Sequence, residues 1–184
     1  MKKNNIKTLT YSAMLAAIGT ALSFFRIPLT NITEITLTGL PIAVGGYFFG
    51  PAAGALIGGL IDLLGFFIRP AGPFFPGFTI SAALVGAIYG LFLWKKRWGT
   101  EGEKSILYKG KPGLLIRIAA AHLTKTLLIS LLLNCLWLSI FYGMPFAAVF
   151  TGTLAKELIN FPFEVALIFF LLRSLSRLKT GGST

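Results

Sequence analysis

Two long apolar segments in the C-terminal half of the chain carry polar side chains at intervals of four residues. These side chains are Thr126, Ser130 and Asn134 on the first segment and Lys156, Asn160 and Glu164 on the second. Residues four apart lie on the same face of a helix. Charged and amide groups are costly to expose to lipid, so these faces are predicted to point into a helix bundle, where the groups pair with one another or line a cavity.

The chemistry that these side chains could perform is the binding of a small polar molecule. Asn134 and Lys156 lie roughly eight and eleven residues from a predicted outer turn at 143–145, so at about 1.5 Å per residue both would lie in the outer half of a membrane. We predict an outward-opening cavity for a flat, anionic molecule with a polar edge. Aromatic rings would enclose this molecule, amides and Glu157 would bind its edge, and Arg26 or Lys156 would bind its carboxylate. The predicted ligand-binding residues are Arg26, Asn31, Glu34, Phe74, Phe75, Pro76, Gly77, Phe78, Asn134, Trp137, Lys156, Glu157 and Asn160.

A purely structural role for the same groups stays open. Lys156 with Glu157 or Glu164 could form an internal ion pair that only stabilises the bundle. His122 and Lys125 are expected nearer the cytoplasmic half, where they satisfy neighbouring groups rather than contact a ligand.

The sequence gives little support to enzymatic chemistry. The chain has one histidine and one cysteine, and neither belongs to a nucleophile–base arrangement or to a metal-ligand spacing. Asp62 could cap a helix, pair with Lys125 or do neither. We therefore predict no catalytic residue, no metal site and no cofactor.

Residues 69–79 form a stretch rich in proline, glycine and phenylalanine. Its three prolines cannot continue a helix, and Gly72 and Gly77 allow positive φ, so a rigid, turn-rich loop is predicted. Three phenylalanines on such a loop would be poorly placed in water. Two interpretations stay open. In one, the phenylalanines form one wall of a ligand pocket; in the other, the loop only fills the gap between two helix ends. The loop at 26–35 is predicted to cover the pocket as a lid.

The composition excludes a soluble domain. The 184 residues are 55% hydrophobic and 12% charged, with a mean hydropathy of +0.78. Because a membrane-spanning helix needs about 20 apolar residues, we predict an all-α integral membrane protein, a single six-transmembrane-helix bundle over residues 1–184 without a cleaved signal peptide. The predicted spans are 8–26, 36–49, 51–68, 79–97, 113–142 and 146–173, with outer loops at 26–35, 68–78 and 142–146 and a cytoplasmic loop at 98–112.

The basic residues determine the predicted orientation. The net charge is +11, but the lysines and arginines fall into three groups: before the first span, around the loop at 98–112, and after the last span. By the positive-inside rule all three groups are cytoplasmic, which places both termini inside the cell and the chain in the cell membrane. Only Arg26 and Arg69 lie near the opposite face. The charge is not collected on one soluble face, so nucleic-acid binding is not predicted.

Small side chains recur along one face of the first span, at Ala13, Ala17 and Ala21. Such a face lets another helix approach closely in lipid, where helices associate through short-range packing. The pattern alone does not distinguish docking of an external partner from packing against another helix of the same chain.

Four stretches of the chain carry a resemblance to a known family. They are Ala13-x-x-x-Ala17; Phe49-Gly50-Pro51-Ala52-Ala53-Gly54 leading to Gly58-Gly59-Leu60-Ile61-Asp62; Phe74-Phe75-Pro76-Gly77-Phe78-Thr79-Ile80-Ser81-Ala82; and Asn134-Cys135-Leu136-Trp137-Leu138. Together they resemble the substrate-binding S components of energy-coupling factor (ECF) vitamin transporters, and most closely the folate-specific branch. The similarity covers nearly the whole chain.

The resemblance implies a six-helix bundle that captures a vitamin from outside the cell and docks on a transmembrane coupling protein that carries two ATPase subunits. It implies that the alanine face of the first helix meets the coupling protein and that the vitamin binds under the loops at 26–35 and 68–78. A separate ATPase also agrees with the absence of a Gly-x-x-x-x-Gly-Lys-Ser/Thr motif from the sequence.

Our leading hypothesis is therefore a folate-binding transport subunit with no catalysis of its own. One alternative is an S component for another vitamin, such as pantothenate or a thiamin-like molecule. Another is a small integral-membrane enzyme acting on lipid, whose turnover would depend on His122, Glu157 or Asp62.

Overall fold

The computed structural model describes residues 3–28, 34–68, 70, 73–94 and 111–178. Long helices dominate these residues. Their bounds are α1 Lys3–Leu22, α2 Gly39–Phe49, α3 Pro51–Ile68, α4 Pro76–Leu93, α5 Lys111–Lys125, α6 Cys135–Tyr142 and α7 Phe146–Leu178, with a π-helical segment, Thr126–Asn134, that joins α5 directly to α6.

A small β-hairpin separates α1 from α2. Strands β1 (Arg26–Pro28) and β2 (Glu34–Thr36) pair antiparallel, with Ile27 opposite Ile35. The predicted lid at 26–35 therefore begins and ends in paired strands.

Four helical stretches are long and apolar enough to cross a membrane. They are Pro51–Ile68, Pro76–Leu93, Gly113–Tyr142 and Phe146–Leu175, and two shorter apolar helices cover Ile6–Leu22 and Gly39–Phe49. The third stretch contains α5, the π-helical segment and α6. Large apolar side chains such as Leu158 (75% exposed) and Phe170 (74% exposed) point outward, as expected of helices surrounded by lipid.

Glycines bring α3 and α4 into close backbone contact. A Cβ added at Gly86 would overlap the carbonyl oxygen of Gly54, and one added at Gly58 would overlap that of Ala82. Helices in lipid associate mainly through such close packing. The pair forms the most extensive helix contact among the described residues, and it provides a rigid wall for the interior.

We expect Gly86→Ala to destabilise the protein by about 1 to 3 kcal/mol, because the added methyl group meets backbone atoms that cannot rotate away. Thermal unfolding of the purified protein measures the effect. Gly152→Ala is the matched control. Among the described residues, no atom outside the adjacent backbone of α7 itself lies within 4 Å of a Cβ at Gly152, so the better helix propensity of alanine should leave stability unchanged or raise it. Equal unfolding temperatures for Gly86→Ala and wild type would contradict this account of the α3–α4 contact.

Several helix ends differ from the sequence-based boundaries. The aromatic loop was predicted to end at residue 78, whereas Pro76 begins α4 and Phe78 lies in its first turn. This boundary was wrong because proline is tolerated at the first position of a helix, where its missing N–H would have no partner. Helix α1 begins at Lys3 rather than near residue 8 and ends at Leu22.

Candidate functional site

Two adjoining chambers open among α2, α3, α4, the π-helical segment and α7. The larger has a volume of about 340 Å³ and the smaller about 220 Å³. The residues that line both are Thr36, Thr38, Ile42, Asp62, Phe78 and Ala82. Because they share this wall, the chambers form one two-part cavity, whose size is typical of sites for small organic ligands.

The larger chamber, here called the aromatic chamber, has four phenylalanines among its lining residues. Phe66 and Phe74 pack with ring centroids 5.0 Å apart, and Phe75 meets Phe78 edge to face at 5.7 Å. The ring of Phe75 also lies 3.7 Å from that of Phe141. These contacts hold the segment before α4 against the C-terminal end of α6 and leave aromatic surfaces facing the chamber.

The smaller chamber, here called the polar chamber, is lined by charged, amide and hydroxyl groups. They are Asp62, Ser81, Lys125, Ser130, Asn134, Lys156, Glu157, Asn160 and Glu164, together with Thr36 and Thr38 from the shared wall. A ligand in this chamber would find both signs of charge and several hydrogen-bonding groups within reach.

Glu157 stands at the centre of an ion network between α7 and α5. Its carboxylate lies 3.4 Å from Lys125 Nζ and 3.8 Å from Lys156 Nζ, and it accepts a 3.0 Å hydrogen bond from Thr126 Oγ1. His122 Nε2 lies 3.8 Å away. Only 3% of the Glu157 side chain is exposed, so these partners take the place of solvent.

Glu164 forms the second acidic centre of the network. Asn160 Nδ2 donates to its carboxylate at 3.0 Å, and Lys125 Nζ lies 3.7 Å from it. Its other carboxylate oxygen lies so close to Gly39 that a side chain there would collide with it. Gly39 is the first residue of α2, and a negative charge beside a helix N-terminus is stabilising.

Asp62 belongs to the wall between the chambers. Its carboxylate accepts a 2.7 Å hydrogen bond from Thr79 Oγ1. This bond ties α3 to the first turn of α4, immediately after Phe78.

The structure brings most of the predicted pocket residues to one cavity. Asn134, Lys156, Glu157 and Asn160 line the polar chamber, and Phe74, Phe75 and Phe78 line the aromatic chamber. The ligand-binding role of these residues stays a prediction.

The other predicted pocket residues have different surroundings. Trp137 packs its ring 5.2 Å from that of Phe75 rather than lining either chamber. Pro76 and Gly77 form the start of α4, with Gly77 directly beneath the Phe75 ring.

The remaining predictions concern the two outer loops. Arg26 and Glu34 pair through their backbones with Thr36 and Pro28 in the hairpin. Asn31, Arg69 and most of the predicted cytoplasmic loop at 98–112 lie outside the described residues.

The structure contains one of the ion pairs that the sequence suggested, Lys156–Glu157, and further ion pairs that the sequence did not suggest. Lys156 pairs with Glu157, whereas the described lysine partner of Glu164 is Lys125. Lys125 was expected only to satisfy its neighbours, but it also lines the polar chamber.

Sequence reasoning missed Ser81, Thr36 and Thr38 as lining residues. Ser81 is a small hydroxyl residue in an apolar helix, and no spacing marks it. The two threonines precede the start of α2, where their residue types alone suggest a turn. All three can be identified as lining residues only when the packing of the helices against one another is known.

The alanine face of α1 is uncovered. Ala13, Ala17 and Ala21 are exposed, whereas Ser12 and Ala16 on the adjacent face are buried. Packing within the described chain therefore does not account for the alanine spacing.

A known protein family matches most of the chain. Residues 7–172 match the family described as the ECF transporter, substrate-specific component. This chain belongs to that family. The family predicted from the sequence is thereby confirmed, and the chain is a component of a transporter rather than an enzyme.

Individual members of the family are similar over nearly the whole chain. The folate transporter FolT of Clostridium novyi (strain NT) is 31% identical over 179 residues, which cover 97% of this chain and 94% of that protein. A solved structure of FolT bound with folic acid is 32% identical, covers 90% of this chain and 92% of its own, and superposes with a TM-score of 0.73.

A more distant structure shows the fold alone. It is the S component of a bacterial ECF transporter, 21% identical, with a TM-score of 0.71 over 95% of this chain and 98% of its own. Together with the apolar helices, family membership makes this chain a helical multi-pass membrane protein.

Proposed function

We propose that this chain is the folate-binding subunit of an ATP-driven vitamin importer. In this proposal it spans the cell membrane six times, with both termini in the cytoplasm, and binds folate from the extracellular side. The observation that carries the proposal is the two-part cavity, in which an aromatic chamber adjoins a polar chamber. Similarity to proteins named folate transporters supports the choice of vitamin.

The chemistry of the two chambers complements the parts of folate. Folate joins a flat bicyclic ring with a polar edge to a benzoyl group and an anionic glutamate. Phenylalanines on the aromatic chamber offer stacking and edge-to-face contacts to the benzoyl group and to the flat faces of the bicyclic ring. Asn160, Asn134 and Glu157 offer hydrogen bonds to the ring edge in the polar chamber.

The charge of the polar chamber indicates which end of folate binds there. Lys125 and Lys156 are matched there by Glu157 and Glu164, and Asp62 adds a third carboxylate to the lining, so the chamber offers no net positive charge to a dianion. The neutral ring is the better occupant of this chamber, and the glutamate lies toward the cavity mouth. Arg26 is the proposed partner of the carboxylates, whereas Lys156 stays paired with Glu157 in the polar chamber.

We further propose that the alanine face of α1 docks on a transmembrane coupling protein that carries two ATPase subunits. The exposure of Ala13, Ala17 and Ala21 supports this, because small side chains permit close helix contact in lipid. ATP hydrolysis on the ATPase subunits would then drive release of the ligand from the cavity through the coupling protein.

Titration of the purified chain with folate tests the proposed ligand. We expect saturation at one folate per chain and a much weaker response to pantothenate and thiamin, because neither joins a bicyclic ring for the polar chamber to a benzoyl group for the aromatic chamber. Quenching of tryptophan fluorescence provides a readout, since Trp137 contacts Phe75 on the cavity wall. Tight binding of pantothenate or thiamin without competition by folate would replace this proposal with an importer component for another vitamin.

A further inference from the structure

Two buried polar atoms on the walls of the polar chamber have no hydrogen-bond partner among the described residues. They are Ser81 Oγ, on α4, and Asn134 Oδ1, at the end of the π-helical segment. Both residues line the polar chamber. Polar atoms buried in proteins almost always have partners, so each orphaned atom requires a reason.

Ser81 is the more demanding case because the residue is only 2% exposed. An unpaired buried hydroxyl destabilises a protein relative to a small apolar side chain. Alanine would fit the same position without that cost. A ligand in the polar chamber can supply the missing hydrogen bond, because Ser81 lines that chamber.

The backbone around Ser81 is held firmly. The next residue, Ala82, is in backbone contact with Gly58 of α3, and Gly86 is in backbone contact with Gly54. Phe78 and Val85 line the chamber on the same face of α4. A hydroxyl on so rigid a wall is pre-organised, because binding does not require the helix to be ordered first.

We infer that Ser81 and Asn134 form a polar clamp that determines specificity for the heterocyclic edge of the ligand. This inference rests on the proposed folate function and adds Ser81, a residue on α4, to the site. Asn134 Oδ1 accepts hydrogen bonds only, so the ligand must present a hydrogen-bond donor to it, such as an N–H group. Ser81 can donate or accept, and the aminopyrimidinone edge of the folate ring carries N–H donors beside nitrogen and carbonyl acceptors.

The test compares Ser81→Ala and Asn134→Ala with wild type, using three probes: folate, 6-hydroxymethylpterin as the ring alone, and p-aminobenzoylglutamate as the tail alone. Loss of one buried hydrogen bond at the ring edge should weaken folate and pterin binding by about ten- to a hundredfold in each variant. Binding of p-aminobenzoylglutamate should not change, because the tail does not reach the clamp.

Ser12→Ala is the matched control. Ser12 Oγ is also buried without a described partner, but Ser12 lies on α1 and lines neither chamber. Its loss should leave all three affinities as in wild type. The thermal stability of ligand-free Ser81→Ala should equal or exceed that of wild type, since the variant removes an unsatisfied group.

The outcomes separate the clamp from the proposed function. Wild-type affinity of Ser81→Ala for folate and pterin overturns the clamp and leaves folate binding in place. Equal weakening for all three probes with a lower unfolding temperature assigns Ser81 to packing, which also overturns the clamp. Failure of wild type to bind folate overturns the proposed function, and the clamp with it.

Discussion

Replacing Glu157 by glutamine is expected to destabilise the protein by about 3 to 5 kcal/mol, the range observed when one partner of a buried ion pair is removed. Glu157 is 3% exposed, and the two lysines that share its carboxylate, Lys125 and Lys156, are 13% and 21% exposed. Glutamine keeps the size of the side chain and can still accept the bond from Thr126. The loss of stability therefore comes from the two lysines. They keep their positive charges, but the Glu157 carboxylate that balanced these charges is gone.

The same substitution is expected to weaken folate binding, because Glu157 also lines the polar chamber. A tenfold or larger loss of affinity is expected if the carboxylate bonds the ring edge directly. Chemical or thermal unfolding of the purified protein, followed by folate titration under conditions where the variant is folded, measures the two effects separately.

Removing a positive charge together with Glu157 tests the cause. In Glu157→Gln combined with Lys125→Met, the network loses one charge of each sign, so part of the lost stability should return even though a second ion-pairing group is gone. Glu103→Gln, in the predicted cytoplasmic loop, is the control for loss of an acidic charge elsewhere. A double variant less stable than the sum of the two single variants would contradict the charge-balance explanation.

The sequence predicted the polar residues along a helix better than those across helices. The spacing of four that joins Lys156 to Asn160 was enough to place both on one face of α7, because the helix period alone decides which residues share a face. The structure brings both to the polar chamber. Family identity followed from longer motifs, which include the stretch from Phe74 to Ala82.

Contacts between helices could not be predicted in this way. Asp62 and Thr79 are 17 residues apart and meet only because α3 and α4 pack through their glycines. Lys125 and Glu157 are 32 residues apart and meet across α5 and α7. Periodicity predicts which residues share a face of one helix. It does not predict which residues of another helix that face contacts.

The π-helical segment Thr126–Asn134 is a second feature without a sequence signal. Its composition is that of an ordinary apolar helix, mostly leucine and isoleucine. Insertions of this kind often occur at functional sites. Here the wider turn carries Ser130 and Asn134 on the wall of the polar chamber, so the departure from α-helical geometry lies where the ligand is proposed to bind.

Ala17→Trp is expected to reduce folate uptake to background while leaving the folate affinity of the isolated chain unchanged. Ala17 is exposed on α1 and lines neither chamber, so a bulky ring there does not touch the cavity. It would hold the coupling protein away from the helix, and close helix packing in lipid tolerates little added volume. Uptake by cells or vesicles that contain the coupling protein and both ATPase subunits, alongside folate titration of the purified variant, measures the two properties.

Ile18→Trp is the matched control, because it places the same ring on the same helix about 100° away. Ile18 is 52% exposed, so tryptophan fits there without disturbing the bundle, and uptake should remain close to that of wild type. If both variants lose uptake, the whole exposed surface of α1 is needed rather than the alanine face. If Ala17→Trp transports normally at wild-type abundance, docking does not use this face, and the exposed alanines must be explained as a surface for lipid.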